Sequence, residues 1–140
     1  MQILFDTSVV LDVLLRREPW RAEASAAWRA IDDERITGWL TASSLTDIFY
    51  IVRRASDLKS AQDSVRMCLK RFEVCVVDRR ALEDAEALPG SDFEDNLQIA
   101  CATRAELDAI VTRDKDGFRD CVIRVFTPAE LLAELNSTEE

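Results

Sequence analysis

The sequence predicts an α/β fold, a three-layer α/β/α arrangement around a central parallel sheet of about four to five strands. Three observations predict it. Short apolar runs recur along the chain, stretches with helical spacing lie between them, and proline and glycine punctuate several of the boundaries.

Gln2 to Phe5 reads as a short apolar strand, and Thr7 to Arg17 then carries Val10, Leu11, Leu14 and Leu15 at helical spacing. Asp6 therefore stands at the strand's carboxyl end. A second helix is expected over Trp20 to Asp32, with Trp20, Ala24, Ala27, Trp28 and Ile31 on one face and Pro19 suited to its start. A strand over Ile36 to Leu40 follows. Ser43 or Ser44 can cap a third helix whose Leu45, Ile48, Phe49 and Val52 face the core, and a fourth helix spans about Leu58 to Arg71.

Glu73 to Val77 reads as a strand and Arg79 to Leu88 as a helix, with Pro89-Gly90 as a break before a helix over Asp92 to Glu106. Ala109 to Thr112 is a strand of the buried type that runs into Arg113-Asp114. Val122 to Phe126 is another, and Pro128 opens a closing helix through Leu135. One domain over 1–135 is expected, with the polar segment 136–140 as a flexible tail.

A chain of 140 residues that is 48% hydrophobic can fill such a core without disulfides or a structural metal. Its 4 cysteines show no C-x-x-C pairing, and Cys68, Cys75, Cys101 and Cys121 sit among apolar neighbours, which predicts buried free thiols. The opening MQILF meets a charge at once, too soon for a signal peptide or a membrane span, so a cytoplasmic protein with no membrane partner is expected.

Histidine is absent, which excludes Ser-His-Asp and Cys-His catalysis and histidine-held zinc, and leaves the chemistry to carboxylates. The formal charge of −9 is opposite to that of a protein held on nucleic acid by a broad basic footprint. A nucleic-acid partner would require a metal cluster and local cations drawn from Arg16, Arg17, Arg53, Arg54, Arg113, Lys115 and Arg119. Arg113 and Lys115, flanking Asp114, are the candidate substrate-binding pair. Arg53-Arg54 ends a helix, where cations favour the dipole without any ligand.

In an open parallel sheet, functional sites gather beyond the carboxyl ends of the strands, where Asp6 and Asp114 both fall. Asp6 alone could simply cap the following helix. If its strand neighbours that of Asp114, the two carboxylates repel, and a bound Mg²⁺ or Mn²⁺ would relieve the repulsion. Asp92 and Asp95 share one face near a helix start, where Asp92 can serve as a cap and Asp95 less readily so. Asp47 sits within an amphipathic helix and could equally be a solvated first-turn carboxylate.

The segments LFDTSVVLDVLL, SSLTDIFYIVRR, SDFEDNLQIACA and AIVTRDKDGF, in that order, resemble the motifs of PIN-domain proteins and extend from Leu4 to Phe118. The D-F-E-D-x-L-Q segment with a closing T-R-D is similar to the VapC-type toxins of toxin–antitoxin pairs. The resemblance implies a PIN-like fold and a divalent-metal-dependent endoribonuclease that hydrolyses RNA phosphodiester bonds as the toxin of a type II pair. It further implies Asp6, Asp47, Asp95 and Asp114 as catalytic metal ligands, with Asp92 and Asp116 as supporting or alternative ligands. Thr7, Ser8 and Thr112 resemble the family's supporting hydroxyls, and capping or turn formation is their other role.

The family commonly has Glu at the second acid, so Asp47 is one methylene shorter. A small antitoxin and a homodimer are the implied partners. The alternative is a PIN-fold binding or regulatory module without nuclease activity. A haloacid-dehalogenase-like phosphatase would want a second Asp where Ser8 stands, and a response-regulator receiver wants adjacent acids after the first strand and a late lysine, which Phe5-Asp6 and RVFTP do not supply.

Overall fold

The computed structural model describes residues 1–138. Strands β1 (Gln2–Phe5), β2 (Thr37–Thr41), β3 (Glu73–Cys75), β4 (Ala109–Val111) and β5 (Arg124–Phe126) pair in parallel in the order β3-β2-β1-β4-β5. The helices between them are α1 (Thr7–Leu14), α2 (Arg21–Asp32), α3 (Ala42–Ala55), α4 (Leu58–Arg71), α5 (Arg79–Ala87), α6 (Phe93–Arg104) and α7 (Pro128–Thr138). A 3₁₀ turn at Lys115–Phe118, not expected from the sequence, links β4 to β5. The expected three-layer α/β/α class and strand number are what the structure shows.

Alternation along the central strands builds the two faces. Ile3, Phe5, Ala109 and Val111 join one core with apolar residues of α1, α2, α3, α4 and α7, while Leu4 and Ile110 join the other with α5 and α6. Strand residues Ile3, Leu4, Ala109, Ile110 and Val111 are completely buried. On the larger face the Phe72 ring meets Phe5 and Trp28 edge-on, with centroids 5.2 and 5.1 Å away. Cys68, Cys75 and Cys101 are buried free thiols as expected; Cys121 is half-buried. No helix of the described residues is long and apolar enough to cross a membrane.

Several boundaries differ from expectation for local reasons. Helix α3 is capped by Thr41, whose hydroxyl accepts from Ser44 N at 3.2 Å, and not by Ser43 or Ser44, because β2 runs directly into the helix. Trp20 precedes α2 and is 43% exposed, so it leaves the core face assigned to it. Val122 is 83% exposed and outside β5, which is confined to three residues. Helix α7 continues to Thr138, three residues into the expected tail, and residues 139–140 lie outside the described residues.

Gly38 is where β2 lies closest to the layer above. A Cβ there would run into Ile31 Cδ1 and would lie 2.9 Å from Phe72 Cδ1. Ile31 can turn aside, but Phe72 is wedged between two rings. Gly38→Ala is expected to destabilise the fold by about 1–3 kcal/mol, measured as a lower urea midpoint at unchanged m-value.

Candidate functional site

The register Phe5↔Val111 sets the ends of β1 and β4 side by side, and Asp6 N donates to Val111 O at 2.9 Å. Asp6 precedes α1 without a side-chain capping bond, so its carboxylate is not spent on the helix. Instead it collects three side-chain donors. Ser8 Oγ and Thr112 Oγ1 donate to Oδ2 at 2.9 and 2.7 Å, and Gln98 Nε2 donates to Oδ1 at 3.1 Å. The Thr112 hydroxyl also accepts from Asp114 N at 3.2 Å, tying the two strand-end acids to one oxygen. Thr7 serves differently, through a buried hydroxyl contact with Ser44 Oγ at 2.8 Å.

An open cleft of about 390 Å³ lies at this edge, and its acidic lining residues are Asp6, Glu94, Asp95 and Asp114. Asp92 caps α6 by accepting from Asp95 N at 3.0 Å, and the first turn of that helix then presents Glu94 and Asp95 to the cleft. Desolvation comes first among the causes that push Asp95 up to about 7, followed by the charges of Asp6, Asp92, Glu94 and Asp114. Glu94 is raised by desolvation and then by Asp47, against a lowering hydrogen bond from Thr7. The 3₁₀ turn closes in from the far side, where a Cβ on Gly117 would collide with Asp95 Oδ2. Only a glycine lets the turn pass this close to the carboxylate.

Of the expected acids, the structure brings Asp6, Asp95 and Asp114 together around one cleft. Asp47 is half-buried on α3 outside the cleft lining, raised by desolvation, and reaches the site electrostatically through Glu94. Asp92 is engaged as a cap, and Asp116 is 78% exposed and paired with Arg119 at 3.1 Å, so neither lines the cleft. Lys115 points elsewhere, to Glu130 at 3.1 Å, whereas Arg113 does line the cleft.

Sequence reasoning missed Glu94 and Gln98. Both lie in the quoted D-F-E-D-x-L-Q segment, where an amide four residues after a cleft-facing Glu on a helix shares its face. Asp12 was also missed. It is 1% exposed within the apolar run VVLDVLL, and both its oxygens lack a hydrogen-bond partner.

The donor set is all oxygen and negatively charged, the chemistry a hard divalent cation takes. Among the described residues no three such side chains are gathered into an ion-holding group, and Asp114 Oδ1 accepts from Asp116 N at 3.1 Å. The fit therefore rests on the donors and on the crowding that a cation would relieve at Asp95.

The chain matches the PIN domain family over residues 2–116. No curated protein matches it. Among solved structures, VapC20 of Mycobacterium tuberculosis, a toxin that cleaves the sarcin-ricin loop, is similar at 14% identity and TM-score 0.68, covering 84% of this chain and 94% of that one. A toxin–antitoxin complex from Klebsiella pneumoniae matches at 20% identity and TM-score 0.66, covering 90% and 97%. VapBC2 from Rickettsia felis, bound to a DNA fragment from its promoter, matches at 14% and 0.62, covering 91% and 98%. At these identities the likeness is one of fold.

The raised Asp95 has a measurable cost. Its folded pKa of about 7 lies above the ordinary 3.8, so its contribution to stability is fully present below about pH 4 and is lost as pH rises through 7. In EDTA, Asp95→Asn is expected to melt several degrees higher than the parent at about pH 8, with the gain shrinking towards about pH 4. Thermal melts at the two pH values check this.

Proposed function

The chain belongs to the PIN domain family, and from that premise we propose that it is a divalent-metal-dependent endoribonuclease that hydrolyses RNA phosphodiester bonds, the toxin of a type II toxin–antitoxin pair. The observation that carries the proposal is the meeting of Asp6, Glu94, Asp95 and Asp114 around one open cleft beyond the sheet's carboxyl edge. Asp6, Asp95 and Asp114 would hold the cation, Mg²⁺ or Mn²⁺, with Glu94 taking the place expected of Asp47. The cation, when bound, lowers the pKa of a water and stabilises charge on the phosphate.

The chain's own residues set up the rest. Ser8, Thr112 and Gln98 fix the rotation of the Asp6 carboxylate through its two oxygens. Gly117 lets the 3₁₀ turn pack against Asp95, limiting where that carboxylate can swing.

The solved structures similar in fold include toxin–antitoxin complexes, which supports a small antitoxin as the partner; a homodimer and residence in the cytoplasm are further parts of the proposal. A second reading, a PIN-fold binding or regulatory module that does not cleave, is favoured by the position of Asp47 outside the cleft lining.

The test is cleavage of a mixed RNA pool by purified protein with Mg²⁺ or Mn²⁺ against EDTA, beside Asp6→Asn and Asp95→Asn. Metal-dependent cutting that both substitutions reduce to background is expected. Equal background from all proteins would favour the binding module. Gly117→Ala retains every acid yet displaces Asp95, and on a misplacement of about 1 Å its cleavage rate is expected to fall about a hundredfold.

A further inference from the structure

We propose that Arg17 and Arg113, clasped by the buried carboxylate of Asp12 at one side of the acidic cleft, form a docking site for a phosphodiester of single-stranded RNA, with Asp12 positioning the pair. The assignment rests on the ribonuclease function proposed above.

The geometry is that of two cations on one anion. Nη1 of Arg17 and Nη1 of Arg113 stand 3.7 and 3.5 Å from the same Asp12 oxygen, Oδ1. Asp12 is 1% exposed and makes no hydrogen bond through either oxygen, so burial alone would be costly without the two guanidinium groups. Desolvation raises Asp12, Arg113 and then Arg17 pull it down, and Asp6 raises it slightly. A purely structural ion pair would need one arginine. Here a second is present, and the surplus positive charge faces the cleft.

Both arginines line that cleft and are the cations among its lining residues, with side chains 30% and 25% exposed. Arg113 is fixed further by Trp20, whose ring centroid lies 3.7 Å from its guanidinium carbon. Its Nη1 is buried against Asp12, and the quarter of the side chain that stays exposed lies along the cleft. Nearby basic groups are already engaged, Lys115 by Glu130 and Arg119 by Asp116.

A guanidinium offers a planar fork matched to phosphate oxygens, and orienting it beforehand reduces the entropy lost on binding. In a chain of net charge −9, a polyanion needs such a local foothold to approach four carboxylates. The cleft thus divides into an acidic wall for the cation and a basic wall for the strand.

The experiment titrates a fluorescein-labelled, mixed-sequence single-stranded RNA by anisotropy in Mg²⁺ from about 50 to about 200 mM salt, alongside cleavage kinetics on the RNA pool. Arg17→Gln and Arg113→Gln are each expected to weaken binding about tenfold, to lower the log–log salt slope by about one, and to lose more in KM than in kcat. Asp12→Asn keeps both charges but frees them, so its expected loss, like that of the arginine variants, lies more in KM than in kcat per folded molecule, with the salt slope retained. Arginine variants with parental salt slope and KM, in a protein that still cleaves, would overturn the docking site while leaving the nuclease intact. Parental KM in Asp12→Asn would overturn its positioning role. If Asp12→Asn does not fold, the two arginine variants decide. A parent protein that neither binds nor cleaves RNA would remove the proposed function, and the docking site with it.

Discussion

The pairing of β1 with β4 at the middle of the sheet is the constraint on which the cleft depends. Parallel strands end on the same side, so the residue after Phe5 and the residues after Val111 must emerge together, and the bond from Asp6 N to Val111 O extends the ladder to the first acid. Burial of both strands on both faces makes that register unforgiving, because a slip of one residue would turn Leu4 or Ile110 into the wrong core. The strands thereby place two charged groups where apolar packing alone would place none.

Around that pair the molecule keeps charges of one sign together and of the other sign apart. Neutral donors orient Asp6, a capped helix start brings Glu94 and Asp95, and desolvation with mutual repulsion pushes Asp95 up to about 7. On the other side a buried carboxylate draws two arginines into the same cleft. Both arrangements sacrifice stability locally, and the apolar cores on the two sheet faces sustain them.

The strand-end acids were legible because an Asp directly after a short apolar run has only one place to be in a parallel sheet. The fold class followed from the same alternation. Asp95 was legible as a helix-start acid not needed for capping. Glu94, Gln98 and Asp12 were not, for different reasons. Glu94 looks like one more charge in a first turn, and only the folded chain sets it against the cleft. Gln98 is buried at 1% exposure because its partner, Asp6, lies 92 residues away. Asp12 did carry a signal, a carboxylate amid VVLDVLL, but its cations come from the end of α1 and from beyond β4. Lys115 and Asp116 misled because adjacency to Asp114 in sequence becomes divergence on a tight 3₁₀ turn.

The order of the strands also dictates when the cleft can exist during synthesis. β1 is made before the other strands, yet its partner on one side is β4, paired through Ile3↔Ala109, so that edge of β1 stays unsatisfied until β4 has been made. Asp114 and the glycine turn follow later still, and Arg113 arrives with them. A nascent chain halted before β4 already carries Asp6, Asp12, Arg17, Glu94 and Asp95 but lacks Arg113 and Asp114, so neither wall of the cleft is complete. The cleft therefore takes shape only when β4 reaches β1.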